Sequence, residues 1–507
     1  MLIVKKRVFA VLLICALVMT CFACDNRADE YSINSVVTIT YLTIGDKPSN
    51  GQSEKVIEKL NTILRKKANA QLDVYYVGWD DYLANYNKVL SSGEVNLDLV
   101  ATSSDWLDAW PNAIGGNFMP LTEDMLSKYC PLTYNCVSQE QWQKCSYQGK
   151  IYFIPENEYT QWVNHGFIYR KDIADEAGLN GVSSWKDLDA YFRYVKEKYP
   201  NMVPWDANGT STIGTLGYLM SVRKFVPIYE LGTYGIWGAY QEDPRKIVSP
   251  YYEGDEFVEY AKLMKEWKEL GVWRDKLSDA EDNDEEFYSG MSAVIQHHTQ
   301  NYYTIIKPRM EVMLPDADVD FYWFGKESGN VVKNSILHGA MAIYAGSKNP
   351  EKALMVYDLL RNDRECYDLI HYGIEGEQYE KNSEGMLERP SGYNADRDSI
   401  LLNFWWGRRD EYEIKDATYS WEDYYKLMDE YEKYAIDYPW DSVPFASSDI
   451  LDEIKPIIEV CDKYVPKIAY GQYEVTPEEE VAEFRQALKD AGIETVTRKL
   501  QIISNSH

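Results

Sequence analysis

Two tryptophans stand directly beside aspartates, as Trp79-Asp80 and Asp105-Trp106. A flat ring next to a carboxylate suits a polyhydroxylated ring compound. The indole covers apolar C–H faces, and the carboxylate accepts hydrogen bonds from hydroxyls at the edge. Glu156, Tyr159 and Trp162 repeat this combination within one short segment. Trp205, Gln296, His297 and Trp323 are isolated candidates of the same kind, and the pair Trp405-Trp406 reads as either cleft wall or core. Each tryptophan has a plainer reading as packing between elements. Asp80 or Asp105 would equally serve as a helix N-cap, which is the first reading of Asp105.

No catalytic or metal-binding residue is assigned. His297 and His298 are adjacent, and neighbours on a strand point to opposite faces, so they do not share one ion. The acidic run 278–286 (SDAEDNDEE) lacks the central glycine of a calcium loop and reads as solvated. GxSxG, P-loop and HExxH motifs are all missing. With 81 acidic residues, a carboxylate pair suited to glycoside hydrolysis is always on hand. An exported glycan-acting enzyme therefore stays as an alternative.

These side chains need elements to hold them. Residues 36–42 (VVTITYL) and 72–77 (LDVYYV) read as strands, and 97–101 (LDLVA) as a short buried one. Val56, Ile57, Leu60, Ile63 and Leu64 fall at helical spacing after Ser53, and 79–90 is a second helical stretch. Strand, helix, strand, helix, strand describes an open, mostly parallel α/β sheet, whose ligands sit beyond the C-terminal strand ends. Trp79 and Trp106 lie there. Further strands are expected at 149–155, 165–169, 311–315 and 340–344. Helix starts are expected at Ser184 with Asp187, at Asn349-Pro350 and at Thr476 with Glu479.

A chain of 507 residues exceeds one hydrophobic core, so two lobes are expected. Its net charge of −29 argues against nucleic acid as a partner. Lys5, Lys6 and Arg7 precede an apolar run at 8–19, the layout of a secretory signal and too short to span a bilayer. Cys24 follows the small Ala23 and is the expected lipidation site of a lipoprotein signal covering 1–23, with Cys21 as the alternative. Residues 25–35 then read as a polar tether, so 24–35 forms the anchor segment. The five later cysteines, Cys130, Cys136, Cys145, Cys366 and Cys461, are odd in number and read as mostly free, buried thiols, with a Cys130–Cys136 or Cys136–Cys145 pair as the alternative.

Several segments, taken in order, resemble one family. Gly149-Lys150 with Pro155, Tyr169-Arg170-Lys171-Asp172, Gly178-Leu179 and Ser184-Trp185 with Leu188 resemble the lobe crossover of extracellular solute-binding proteins of family 1, the maltodextrin-binding type. Residues 287–294 and 347–353 resemble its later segments. Gly45-Asp46-Lys47-Pro48, Ser91-Ser92-Gly93-Glu94 with Asp98-Leu99, and 372–376 are similar to a lipoprotein subgroup of gram-positive ABC transporters. The resemblance implies a periplasmic-binding-protein-like α/β fold, with two α/β lobes joined by a multi-strand hinge around an inter-lobe cleft. Lobe one would take 36–157 and 310–365, and lobe two 158–309 and 366–507. It implies a monomer without cofactor that closes on a small solute, expected to be a mono- or oligosaccharide, and delivers it to ABC permease subunits. A surface lipoprotein that senses or adheres through sugar would share this fold. One departure stands out: Ile336-Leu337-His338-Gly339 replaces a Ser- and Thr-rich stretch, so a ligand contact by His338 would alter specificity.

Overall fold

The computed structural model describes residues 36–156, 164–207, 211–277, 283–333, 335–441, 443 and 445–506. Two sheets organise it. In chain order their strands are β1 (Val37–Ile44), β2 (Ala70–Val77), β3 (Leu99–Thr102), β4 (Ile154–Pro155), β5 (His165–Arg170), β6 (Val294–His298), β7 (Val319–Trp323) and β8 (Ala340–Ile343). The first sheet runs β2-β1-β3-β8-β4. β1 pairs in parallel with β2 and β3, as the alternation of strands and helices predicts. β8 returns antiparallel between β3 and β4.

Helices α1 (Gln52–Ala68), α2 (Tyr82–Ser92), α3 (Ala109–Ile114), α4 (Gln139–Lys144) and α5 (Pro350–Asn362) accompany this sheet. Val56, Leu60 and Leu64 form the buried stripe of α1. The chain leaves α1 through Asn69 in the left-handed region, which asparagine tolerates. Ser53 does not cap α1. It is buried inside the first turn, where its hydroxyl accepts the N–H of Leu401 at 3.0 Å.

The second sheet is antiparallel, β6-β5-β7, with β5 in the centre. Both of its faces are buried. Phe167, Tyr169, Val294 and Tyr322 join one core, while Ile168, Ile295, Phe321 and Trp323 join another. That is the two-residue period of strands applied to apolar side chains on both sides. The C-terminal helices α6 (Ser448–Ala469), α7 (Pro477–Asp490) and α8 (Ile493–Ser504) pack on the first of these cores. The capping box at Thr476 and Glu479 forms as expected.

Three features differ from the sequence expectations. Residues Lys307–Met313 are helical, and the strand comes later, at β7. Val319 to Val332 packs with the second lobe, although 310–365 was assigned to the first. Conversely, Cys366, Leu369, Ile370, Ile374, Phe404 and Trp406 pack in the first lobe's core, although 366–507 was assigned to the second. Pairing across a sheet decides these assignments, and local pattern does not report it. Among the described residues no disulfide forms, and Cys130, Cys145, Cys366 and Cys461 are buried. No described helix is long and apolar enough to cross a membrane.

Candidate ligand cleft

The first sheet aims an aromatic stack at its C-terminal edge. Past β2, the Oδ1 of Asp46 accepts the N–H of Trp79 at 3.2 Å. A Cβ on the intervening Gly78 would sit 2.7 Å from that oxygen, so any larger residue there would displace the Asp46 carboxylate. Asp81 and Asp108, just before α2 and α3, both hold left-handed backbone (φ 46° and 48°), turning the loops that carry Trp79 and Trp106. Trp79 stacks on Trp106 with centroids 6.1 Å apart and planes at 23°. Trp106 stacks on Trp406 at 5.5 Å and 26°. Tyr82 meets Trp79 edge-on at 5.8 Å, and Trp405 flanks Trp106 at 6.5 Å. Exposure grades along the stack: Trp406 is fully buried, Trp106 half-buried, and Trp79 45% exposed. The indole N–H of Trp406 donates to the Asn403 carbonyl at 2.9 Å, which anchors the stack from below.

A polar centre lies next to it. Asp105 Oδ2 is 2.8 Å from His338 Nδ1, and the Ser103 hydroxyl donates to Asp105 Oδ1 at 2.6 Å. Burial pushes the Asp105 carboxyl up, but His338 and Ser103 outweigh it and hold the group below the usual range. For His338, burial pulls the imidazole down, and Asp105 more than restores it. The pair's contribution to stability is full between roughly pH 4 and 6.5. It is lost on acidification through the lowered Asp105 value, and at higher pH through the raised His338 value.

Glu156 sits at the end of β4, where the first lobe's chain leaves for the second. Its backbone N–H donates to Gly339 at 2.9 Å. The buried Arg361 guanidinium donates to the carbonyls of Pro155 at 3.0 Å and Glu156 at 2.8 Å, pinning this exit to α5. A Cβ at Gly339 would collide with the Glu156 carboxylate, so a larger residue there would force that side chain to shift. Oε1 of Glu156 is buried without a partner. Burial raises this carboxyl to about 7, against the pull of Arg408 and His338. The raised value favours the neutral acid in the fold. Its contribution is therefore full below about pH 4.5 and is lost as pH rises through about 7. Glu156→Gln is expected to melt a few degrees above the parent at pH 8 and level with it at pH 4.5. Calorimetric scans at the two pH values check this.

Opposite these groups, the second sheet presents His165, Gln296, His297 and His298. The Gln296 amide meets His165 Nδ1 at 3.0 Å, and Asn301 meets His297 Nε2 at 2.6 Å. Burial pulls His165 down to about 3 and His297 to about 4, so both are neutral near pH 7. The two lobes also meet around a cavity of about 360 Å³, bridged by an ion pair from Lys144 on α4 to Asp441 at 3.2 Å.

Residues 58–391, more than half of the chain, match the family model described as bacterial extracellular solute-binding protein. The chain belongs to that family. Residues 444–502, covering most of α6 to α8, match a domain of unknown function. A carbohydrate ABC transporter substrate-binding protein from Streptococcus pneumoniae serotype 4 is 26% identical over 408 residues, 77% of this chain and 76% of its own. The crystal structure of the N-glycan transport solute-binding protein NgtS from S. pneumoniae superposes with a TM-score of 0.70 at 20% identity, covering 93% of this chain and 98% of that one. NgtS has also been solved with Man1GlcNAc and with Man5GlcNAc. An extracellular solute-binding protein from Bifidobacterium longum subsp. infantis gives 0.65 at 16% identity, covering 93% and 98%. These superpositions agree with the two-lobed α/β architecture.

In this solute-binding protein the residues singled out from sequence divide into groups. Trp79, Asp80 and Trp106 come together at the stack, with Asp80 exposed beside it. Glu156, Gln296 and His297 gather at the boundary between lobes. Trp205 and Trp323 are corrections, because both are core. Trp205 is 6% exposed and meets Phe167 at 5.0 Å and Trp273 at 5.7 Å, both edge-on. Trp323 is fully buried against Tyr431 at 5.2 Å, because its strand is covered on both faces. Asp105 is also corrected: it pairs with His338, and the position before α3 is held by Asp108. Tyr159, Trp162 and Cys24 lie outside the described residues, as does most of the acidic run. Sequence reasoning passed over Tyr82, Trp110 and Trp440, which reach the boundary from helices or irregular chain that carry no strand-end signal.

Proposed function

We propose that this protein captures an extracellular saccharide between its lobes and hands it, unchanged, to the permease of an ABC importer. The observation that carries the reading is the graded Trp79–Trp106–Trp406 stack, which ends in an exposed ring and whose middle ring directly follows Asp105 of the Asp105–His338 pair. Such a stack offers a rigid apolar plate with hydrogen-bonding groups at its rim, which is what a pyranose needs. The carbohydrate-transporter relative and the N-glycan complexes of NgtS support a sugar as the solute. Closure follows from the ligand's preference for the closed state and extends only as far as that preference.

Titration calorimetry of the mature chain against neutral and uronic-acid oligosaccharides tests this, with one-to-one binding expected in the micromolar range, about −8 kcal/mol. Chromatography of the recovered ligand distinguishes a carrier from a glycan-acting enzyme, and intact ligand is expected.

The tether reading places a diacyl anchor on Cys24. Each buried methylene adds roughly 0.8 kcal/mol, so two chains hold the protein at the outer face of the cell membrane. Cys24→Ala is expected to move the protein from the membrane fraction to the medium. Retention in the membrane fraction would shift the anchor to Cys21.

A further inference from the structure

β6 closes on His297-His298, and the chain turns directly into a helix at 299–313. That helix has three pieces: a first turn Thr299–Asn301, a π-helical turn Tyr302–Ile306 and the α-helical Lys307–Met313. A helix start leaves backbone N–H groups without acceptors, and Ser, Thr, Asp or Asn ordinarily supplies one. Here Thr299 is engaged elsewhere. Its hydroxyl donates to the Asn164 carbonyl at 3.0 Å and meets the Tyr431 hydroxyl at 2.7 Å. His298 takes the cap instead, its Nδ1 accepting the N–H of Asn301 at 3.3 Å. His297 Nδ1 in turn accepts the N–H of His298 at 2.9 Å.

An imidazole nitrogen that accepts a backbone N–H carries no proton of its own. Both rings are therefore neutral, with the proton on Nε2. In His297 that Nε2 meets the Asn301 amide, which must then offer its oxygen there. A second proton on either ring would set a donor against a donor. At His298 it would also add charge to the positive end of the helix.

The surroundings oppose that charge as well. Burial lowers both rings, and His298 also faces His297, His165 and His338. Four of the chain's six histidines thus gather at the boundary between lobes, and a proton on one is repelled by the others. Asp105 of the first lobe acts in the other sense, on His165 and on its partner His338. Glu430, next to Tyr431, is paired with Lys326 at 3.5 Å. Further along the helix, Lys307 pairs with Asp318 and Asp423, and Arg309 with Glu285.

The capped turn is tied to the point where the chain enters the second lobe. Asn164, directly before β5, accepts the Thr299 N–H at 2.9 Å as well as its hydroxyl. His165 beside it meets the His298 ring edge-on at 5.6 Å.

We propose that His297 and His298 form an acid-sensitive clasp, which holds the helix start against the entry strand of the second lobe at neutral pH and releases it on acidification. In a released turn the imidazoles regain their ordinary value near 6.5, while in the clasp both lie lower, His297 at about 4. The clasp is therefore fully held above about pH 6.5 and weakens as pH falls towards about 4. His297 alone supplies a change of about twentyfold in the opening equilibrium between pH 7 and pH 5.

Amide hydrogen exchange on the mature chain at these two pH values, corrected for intrinsic rates, tests this without any ligand. Protection of 300–306 is expected to fall at least tenfold more than that of α1. The double variant His297→Gln, His298→Asn keeps side-chain acceptors that do not titrate, and its loss over 300–306 is expected to match that of α1. If it does not fold, spectra of nitrogen-labelled histidine in the wild type decide, with each ring assigned by single replacement. Both rings are expected as Nε2–H tautomers at pH 7, with midpoints below about pH 5.5. An Nδ1–H tautomer, a midpoint near 6.5 in either ring, or equal loss of protection in wild type and double variant overturns the clasp.

Discussion

Trp79→Ala should weaken saccharide binding by roughly thirtyfold, about 2 kcal/mol, while leaving the melting temperature nearly unchanged. Both halves of this expectation come from exposure. Trp79 is 45% exposed and tops the stack, so removing its ring opens no core cavity. Trp106 beneath it keeps its own contact with Trp406 and holds its place. What disappears is the outermost plate, and buried aromatic anchors are the side chains whose truncation costs a binding site most. Trp106 stays as a partial plate, so binding should fall without vanishing. Calorimetry with the panel's tightest oligosaccharide, paired with a thermal melt, separates the two effects. Unchanged affinity would remove the stack from the ligand site.

Trp205→Ala should do the opposite, costing about 3–5 kcal/mol of stability. The folded fraction should bind ligand with near-normal affinity. Trp205 lies in the second lobe's core, edge-on to Phe167 and Trp273 and tilted against Tyr470. A side chain of that size leaves a void that rigid aromatic neighbours fill poorly. Its indole N–H has no acceptor, so Trp205→Phe gives up little hydrogen bonding and should cost distinctly less than alanine. Denaturant unfolding of the two variants checks the order. A Trp205→Ala variant that melts like the parent would contradict the core placement.

The two predictions show how unevenly the cleft could be read in advance. Trp79 and Trp106 were legible because they follow short apolar strands in a β-α-β pattern, and that pattern places strand ends at the ligand edge. Trp323 is the last residue of a strand, but its sheet is buried on both faces, and one strand's own residues do not reveal what covers its second face. Asp105 carried an N-cap's residue type in an N-cap's neighbourhood. Its actual partner, His338, lies 233 residues further along the chain. Trp406 completes the stack from a stretch without regular spacing, brought there by packing over the first sheet.

The linear order of residues was enough for the parallel β1-α1-β2-α2-β3 unit, the capping box before α7 and the two-lobe expectation. Each is written in a short window of apolar spacing or turn residues, where neighbours in the chain are neighbours in space. Tertiary structure alone assigned β7 to the second lobe and residues 366–406 to the first, joined Trp79, Trp106 and Trp406 into one stack, and set Trp110 across from Trp440. Those outcomes depend on which distant surfaces exclude water together, and burial of apolar area has no direction along the chain from which to be read.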